Sequence, residues 1–172
     1  DNPMCVHVCP ASATDKDDKG VVSQIYPRCF GCRYCMAACP YHARVFNWWD
    51  PTFPKGTERG LNPDVSTRMR GVVEKCSFCN HRYQRAKEKA MLEGRTTLKD
   101  GEYITACAEA CPTGAITFGN VKDPNSKVSK LVKSPYAFRL LEKFGTEPSV
   151  YYISRQEWVR REAERYFEEK AK

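Results

Sequence analysis

Ten cysteines are spread along this 172-residue chain, and all of them fall into three groups. The middle group, Cys29, Cys32, Cys35 and Cys39 followed at once by Pro40, reads C-x2-C-x2-C-x3-C-P, the bacterial iron–sulfur spacing. Three closely spaced thiolates grip one cubane cluster. The fourth, sent off along a diverging chain direction set by the proline, ligates a neighbouring cluster. Partial copies stand on either side: Cys5 and Cys9-Pro10 upstream, and Cys76, Cys79, Cys107 and Cys111-Pro112 downstream. Such a set implies several clusters and the chemistry of an electron carrier, with no catalytic residue of its own.

Two other uses of cysteine compete. Disulfide scaffolds belong to short secreted chains, and they have no use for three C-x3-C-P endings. Structural zinc is the stronger rival because C-x2-C is its common half-site; it would make the chain a zinc-stabilised binding module. Zinc, however, needs neither a third cysteine three residues after the second nor a proline after the last. His7, His42 and His81 are expected at the surface or behind the ligands, since each motif already has its cysteines. No phosphate-cradling glycine loop, carboxylate pair or nucleophile–base motif stands out.

The composition is that of a globular protein, 41% hydrophobic and 28% charged, with Lys+Arg exceeding Asp+Glu by 28 to 21. The +7 balance invites a nucleic-acid reading. Cubanes with four thiolates are anionic, though, and the basic residues compensate them, so no nucleic-acid partner is expected. No stretch approaches the roughly 18 consecutive apolar residues of a membrane span. The first motif is cut in half at Cys5, so the chain is expected to be part of a longer protein whose earlier residues supply the missing cysteines.

The elements that must position these cysteines recur in the order cysteine loop, short helix, strand. Asp17-Asp18-Lys19-Gly20 reads as a tight turn and Val21–Tyr26 as a strand. A helical turn over Met36–Ala38 follows the second cysteine loop, and Arg44–Trp49 reads as the next strand. The order returns in Cys107–Cys111 followed by a strand over Ala115–Phe118. Tyr41, Phe46, Trp48 and Trp49 are expected to shield a cluster from solvent. Residues 50–73, rich in Pro and Gly, form an irregular excursion. A helix is predicted over His81–Glu93, ended by Gly94, within an 80–106 insertion that returns Cys107 to its partners. Further on, Asp123-Pro124 and Ser134-Pro135 read as helix starts, the second for a helix over Tyr136–Phe144. Val150–Ile153 reads as a strand. Ser154 and Glu157 form a capping box for a last helix with an apolar stripe of Val159, Ala163, Tyr166 and Phe167. The expected fold is α+β: duplicated ferredoxin-like cluster-binding units over 1–119, with irregular insertions, and a helical and strand extension over 120–172.

The stretches CFGCRYCMAACPYHARVFNW, RGVVEKCSFC and ACAEACPTGAITFG resemble the four-cluster iron–sulfur subunit of the complex iron–sulfur molybdoenzyme family. The excursion ending LNPDVSTRMRGVVEKC and the tail are most similar to the branch of polysulfide reductase, menaquinone reductase and alternative complex III. The resemblance implies up to four [4Fe–4S] clusters in the full protein, with about six further cysteines before Asp1. It implies that Cys9, Cys29, Cys32 and Cys35 hold one complete cluster, and that Cys5 and Cys39 serve a second with two absent cysteines. Cys76, Cys79 and Cys107 would serve a third and Cys111 a fourth. In relatives lacking cysteine at the Cys32 position, the matching centre is [3Fe–4S]. The implied partners are a membrane quinone-binding subunit, a large molybdopterin-type subunit and a multihaem cytochrome c, on the periplasmic face of the membrane. The iron–sulfur subunit of a formate dehydrogenase or hydrogenase is the variant of this reading.

Overall fold

A computed structural model describes residues 1–165. Its sheets are three two-stranded antiparallel ribbons, and two of them join the exit of one cysteine motif to the entry of the next. β1 (Thr14–Lys16) leaves the first motif and pairs with β2 (Val22–Gln24), which leads toward Cys29. β3 (Val45–Phe46) leaves the second motif and pairs with β4 (Val73–Glu74), which runs into Cys76. The turn between β1 and β2 is built on Asp17, whose carboxylate accepts the N–H groups of Lys19 and Val21 while Gly20 takes φ 88°. A left-handed glycine there is what a tight reversal needs.

The chain divides into two compact units, residues 3–81 and residues 1–2 with 82–172. In the first, Ala13, Cys35, Val72 and Val73 are fully buried. The helices α1 (Met4–His7) and α2 (Tyr34–Ala37) are one turn long. The excursion contains one 3-10 turn at Thr57–Gly60, and residues 51–67 are exposed throughout.

In the second unit α3 (Asn80–Leu92) ends as expected. Gly94 takes φ 75° and the Arg95 N–H returns to the Ala90 carbonyl, a left-handed stop. Tyr83, Tyr103 and Phe118 pack edge to face at 5.5 and 5.0 Å. Helix α4 (Ala106–Glu109) carries the third motif. Residues 115–118 form no strand: Phe118 spends its ring on Tyr103, and no described segment offers this stretch a ladder. The helix expected to start at Asp123-Pro124 begins three residues later, as α5 (Lys127–Val132), because Asp123 closes a turn, its Oδ1 accepting the Asn125 N–H at 2.9 Å and its carbonyl the Ser126 N–H, and Ser126 is the cap. Its Oγ accepts the Ser129 N–H at 3.1 Å and donates to the Asn120 carbonyl at 2.7 Å.

No helix forms over Tyr136–Phe144. Instead β5 (Ala137–Phe138) pairs with β6 (Tyr152–Ile153), and a 3-10 turn covers Glu142–Phe144 before Gly145 at φ 65°. The non-local ribbon overrides local helix propensity, as tertiary pairing often does. Ser154 does not close a capping box either; its Oγ accepts from Gln156, ahead of α6 (Glu157–Arg165). Val159 and Ala163 of the apolar stripe are half-buried; Tyr166 and Phe167 lie outside the described residues.

One glycine controls the second cysteine loop. Gly31, between Cys29 and Cys32, has φ 78°, and a Cβ there would stand 2.2 Å from the Gly71 carbonyl oxygen. The left-handed backbone and the backbone collision together should make Gly31→Ala cost about 2–4 kcal/mol. Chemical denaturation of the cluster-loaded protein measures this, and Gly56→Ala, where nothing lies within 4 Å, is the control that carries only the backbone penalty.

Candidate metal centres

The three C-x3-C-P segments adopt one local structure three times. Each begins with a four-residue helix carrying a cysteine in second position: Cys5 in α1, Cys35 in α2 and Cys107 in α4. One right-handed residue follows (Val8, Ala38, Ala110), then the last cysteine and its proline. Proline supplies a fixed φ and no N–H, so it opens a turn. The N–H of the third residue after the cysteine returns to the cysteine carbonyl: Ser12 to Cys9 at 3.3 Å, His42 to Cys39 at 3.3 Å, and Gly114 to Cys111 at 3.1 Å. Those three residues are left-handed, with φ 47°, 49° and 63°.

This reversal turns the next N–H onto the sulfur. Ala13 donates to Cys9 Sγ at 3.2 Å, Ala43 to Cys39 Sγ at 3.4 Å, and Ala115 to Cys111 Sγ at 3.3 Å. Two of the three left-handed residues are not glycine, a conformation worth about 1–2 kcal/mol of strain. The recurring P-x-x-A after each last cysteine was the sequence signal for this turn.

The thiols feel these donors. Burial opposes ionisation of Cys9, but the N–H groups of Ala13, Ala11 and Thr14 outweigh it and lower its pKa. The Thr113 hydroxyl, with help from the Ala115 N–H, lowers Cys111 to about 7. Cys35 goes the other way: burial raises it, the Arg44 guanidinium works against the rise, and the thiols of Cys29, Cys9 and Cys32 add to it.

Cys9, Cys29, Cys32 and Cys35 line one pocket, together with Gln24 and Val73. The β1–β2 ribbon accounts for this, because it carries the residue leaving the first motif back beside the loop that opens the second. Cys35 is buried at 6% exposure, Cys9 and Cys29 are half-buried, and Cys32 is exposed. Beneath the pocket, Arg44, 5% exposed, donates to Gln24 Oε1 at 2.6 Å, and the buried Thr14 hydroxyl reaches the same oxygen at 3.1 Å. Arg44 Nη2 is buried with no partner. Four thiols lining one pocket, backbone donors to sulfur and a buried cation are the donor types an anionic metal cluster requires, although among the described residues no three ligands stand close enough together to hold a single metal ion.

Cys5, Cys39 and Cys76 meet a different cation. Lys75 Nζ bonds the Val22 carbonyl and, at 2.7 Å, that of Cys76. Burial lowers its pKa and Arg44 adds to the fall, while the thiols of Cys76, Cys5 and Cys39 oppose both. Cys79 follows Phe78 in a left-handed pair, φ 52° and 55°, with the Phe78 N–H on Cys76 Sγ at 3.4 Å. Cys107 Sγ contacts Thr105 Oγ1 at 3.3 Å. Gln24, Arg44, Lys75 and Thr113 were not singled out by the sequence reading. His7 and His42 are exposed, and His81 Nε2 lies 3.3 Å from the Asn62 amide. The aromatic run expected to shield a cluster divides: Tyr41 and Phe46 are half-buried, whereas Trp48 and Trp49 are 53% and 79% exposed. The Arg33 guanidinium covers Phe46 and Trp48 at 5.3 and 4.8 Å.

Residues 28–115 match the family model for the 4Fe-4S dicluster domain. The chain belongs to this family. It is 62% identical over 169 residues to the iron–sulfur cluster-binding subunit of menaquinone reductase from Nitratidesulfovibrio vulgaris, covering 96% of this chain and 66% of the relative. It is 44% identical to the Hdr-like menaquinol oxidoreductase iron–sulfur subunit 1 of Archaeoglobus fulgidus, covering 88% and 53%. To the arsenate respiratory reductase iron–sulfur subunit ArrB of Shewanella sp. it is 33% identical, covering 89% and 70%. The chain thus spans about two thirds of the first relative and about half of the second. As a dicluster protein it binds [4Fe–4S] clusters, and this displaces the zinc and disulfide readings. Its mixture of short helices and small sheets agrees with an α+β dicluster domain.

The grouping of thiols makes a sharp expectation. In the full-length protein, Cys9→Ser should abolish or alter one cluster signal and Cys39→Ser a different one, although Cys39 and not Cys9 shares a motif with Cys29. Electron paramagnetic resonance of the two dithionite-reduced variants checks this; loss of the same signal in both would refute it.

Proposed function

We propose that this chain is the electron-transfer part of a respiratory iron–sulfur subunit. It relays electrons between a membrane quinone-binding subunit and a peripheral molybdopterin-type or cytochrome c subunit, on the periplasmic face. The observation that carries the reading is the pocket of Cys9, Cys29, Cys32 and Cys35, where a cysteine of one motif joins three of the next. The names of the relatives support the quinone connection. Among the described residues no helix is long and apolar enough to cross a membrane, which suits a subunit that leaves the quinone to a partner.

In this reading Cys9, Cys29, Cys32 and Cys35 hold one [4Fe–4S] cluster. Cys5 and Cys39 serve a second, Cys76, Cys79 and Cys107 a third, and Cys111 a fourth, each completed by cysteines of the longer protein. When bound, such a cluster supplies one-electron chemistry at a potential set by charge, hydrogen bonds and exposure. The chain's own residues set those conditions. Cys35 anchors the buried side and Cys32 the exposed mouth, the Ala13 N–H donates to the Cys9 sulfur, and Arg44 lays positive charge below. Residues 1–119 form the duplicated cluster units and 120–172 an extension.

Two measurements test the proposal. Anaerobic iron and sulfide analysis of the full-length protein should find well over about four iron atoms; less iron with stoichiometric zinc would overturn it. Cys32→Ala should release one iron, replace the [4Fe–4S] signature of this site by that of [3Fe–4S], and slow quinone-linked turnover while the other signals persist. A wild-type oxidised sample with a [3Fe–4S] signal at this site would refute the assignment.

Partner contact is expected at the excursion or at α6. Phe53, Leu61 and Val65 of the excursion are about two-fifths exposed, and Trp158 of α6 is 66% exposed. At least one of these segments should bury roughly several hundred Å² in the assembled complex. Hydrogen exchange of the complex against the isolated subunit reads this out, and equal exchange in both segments would sink it.

A further inference from the structure

The polar cluster under the first pocket does more than fill space. Arg44 is a fully buried guanidinium reached from the chain leaving the second motif, and Gln24 belongs to β2 and lines the cysteine pocket. Two donors converge on one Gln24 side-chain atom: Arg44 Nη1 at 2.6 Å and Thr14 Oγ1 at 3.1 Å. Guanidinium has no acceptor, so the atom facing it must be the amide oxygen. This fixes the orientation of the side-chain amide, which crystallographic density seldom decides alone. The Gln24 Nε2 group, with two N–H donors, is then the end not used by Arg44 or Thr14, and no described residue takes a bond from it. One step back, Arg44 Nη2 is itself buried without a partner. A buried unpaired donor on a charged group is costly, and retaining one where its charge is felt by the Cys35 thiol calls for an anion to face.

We propose that Gln24 is a hydrogen-bond donor to the cluster held by Cys9, Cys29, Cys32 and Cys35, and that Arg44 positions it while supplying buried positive charge that favours the reduced state. The proposal rests on the ligand assignment given above for these four cysteines. Its physical content is simple. Adding an electron makes the cluster more negative, and both an oriented N–H donor and a nearby desolvated cation stabilise that added charge. Thr14 shares the work of holding the amide, so Gln24 and Arg44 can be separated by substitution. Arg44 touches the site through Gln24 and is a positioning residue.

The test is a potentiometric titration of the full-length, cluster-loaded protein, followed by electron paramagnetic resonance, with iron content measured on the same samples. Gln24→Met keeps the length and removes the donor. Arg44→Gln removes the charge, and Arg44→Lys keeps it with fewer donors. Gln24→Met and Arg44→Gln should lower the midpoint of this one cluster by at least a tenfold change in its oxidised-to-reduced ratio, about 59 mV for one electron. Arg44→Lys should recover part of the shift, and in Gln24→Met the other clusters should keep their midpoints. An unchanged midpoint in Gln24→Met with full iron content overturns the proposal and leaves the ligand assignment intact. Loss of this cluster alone from Gln24→Met also overturns it, by making the residue a structural support. If wild-type protein lacks a [4Fe–4S] signal that disappears on Cys9→Ser, the ligand assignment itself has failed, and the proposal falls with it.

Discussion

Thiolate ligation is the bond on which everything else in this protein depends, because little else is available to hold it. Among the described residues only Ala13, Cys35, Val72, Val73 and Ala90 are fully buried apolar side chains. Ordering a chain costs about 1–2 kcal/mol per residue in backbone entropy, and so few buried groups do not offset that. The helices bearing cysteines are one turn long, far below the roughly 12–15 residues at which an isolated helix becomes marginally stable. The ribbons pair two or three residues. Metal–thiolate bonds made only in the folded state contribute directly to folding free energy, and clusters occupy the place that a hydrophobic core takes elsewhere.

Charge follows from the same constraint. Arg44 is buried and Lys75 half-buried, both within reach of thiols. Some of the other cations are matched at the surface: Arg95 bridges Glu93 and Glu102, Arg82 meets Glu109, and Arg139 meets Glu142. Exposed pairs of this kind are worth little individually. The formal excess of +7 therefore says less about partners than the positions of buried Arg44 and half-buried Lys75 do.

What was legible beforehand was whatever the chain encodes locally. The cysteine spacing, the Asp17–Gly20 turn and the helix ended by Gly94 all carry their cause within a few neighbouring residues, and the structure has each of them. The strand over 115–118 and the helix over 136–144 were wrong for the converse reason. Phe118 is claimed by Tyr103, and Ala137–Phe138 by Tyr152–Ile153, partners that local pattern does not name. Arg44 shows the same limit at the site. In the run Arg44–Trp49 it reads as one more strand residue, and only its contact with Gln24, twenty positions away, reveals its place under the cysteines. The exposed Trp48 and Trp49 were misread as interior because aromatic bulk alone does not tell a core from an uncovered face.

The closure of the long excursion has a consequence for how this scaffold tolerates change. Its two ends are tied together by the Asn47 N–H on the Val72 carbonyl, the Gly71 N–H on the Asn47 carbonyl at 2.8 Å, and the Arg70 N–H on Asp50 Oδ1 at 2.9 Å. The stretch between them is thus a cassette with a fixed base. For a closed loop each doubling of length costs only about 0.6 kcal/mol, so the exposed stretch around Thr57–Gly60 can lengthen or shorten without disturbing the ribbon, while Arg68, stacked on Tyr26, and Asn62, against His81, hold the later part of the cassette in place. At the base that freedom stops, for the carbonyl of Gly71 already fills the space beside Gly31. Tolerance to change should lie at the outward tip of the cassette, and the second cysteine loop is separated from it by a single pair of glycines in close approach.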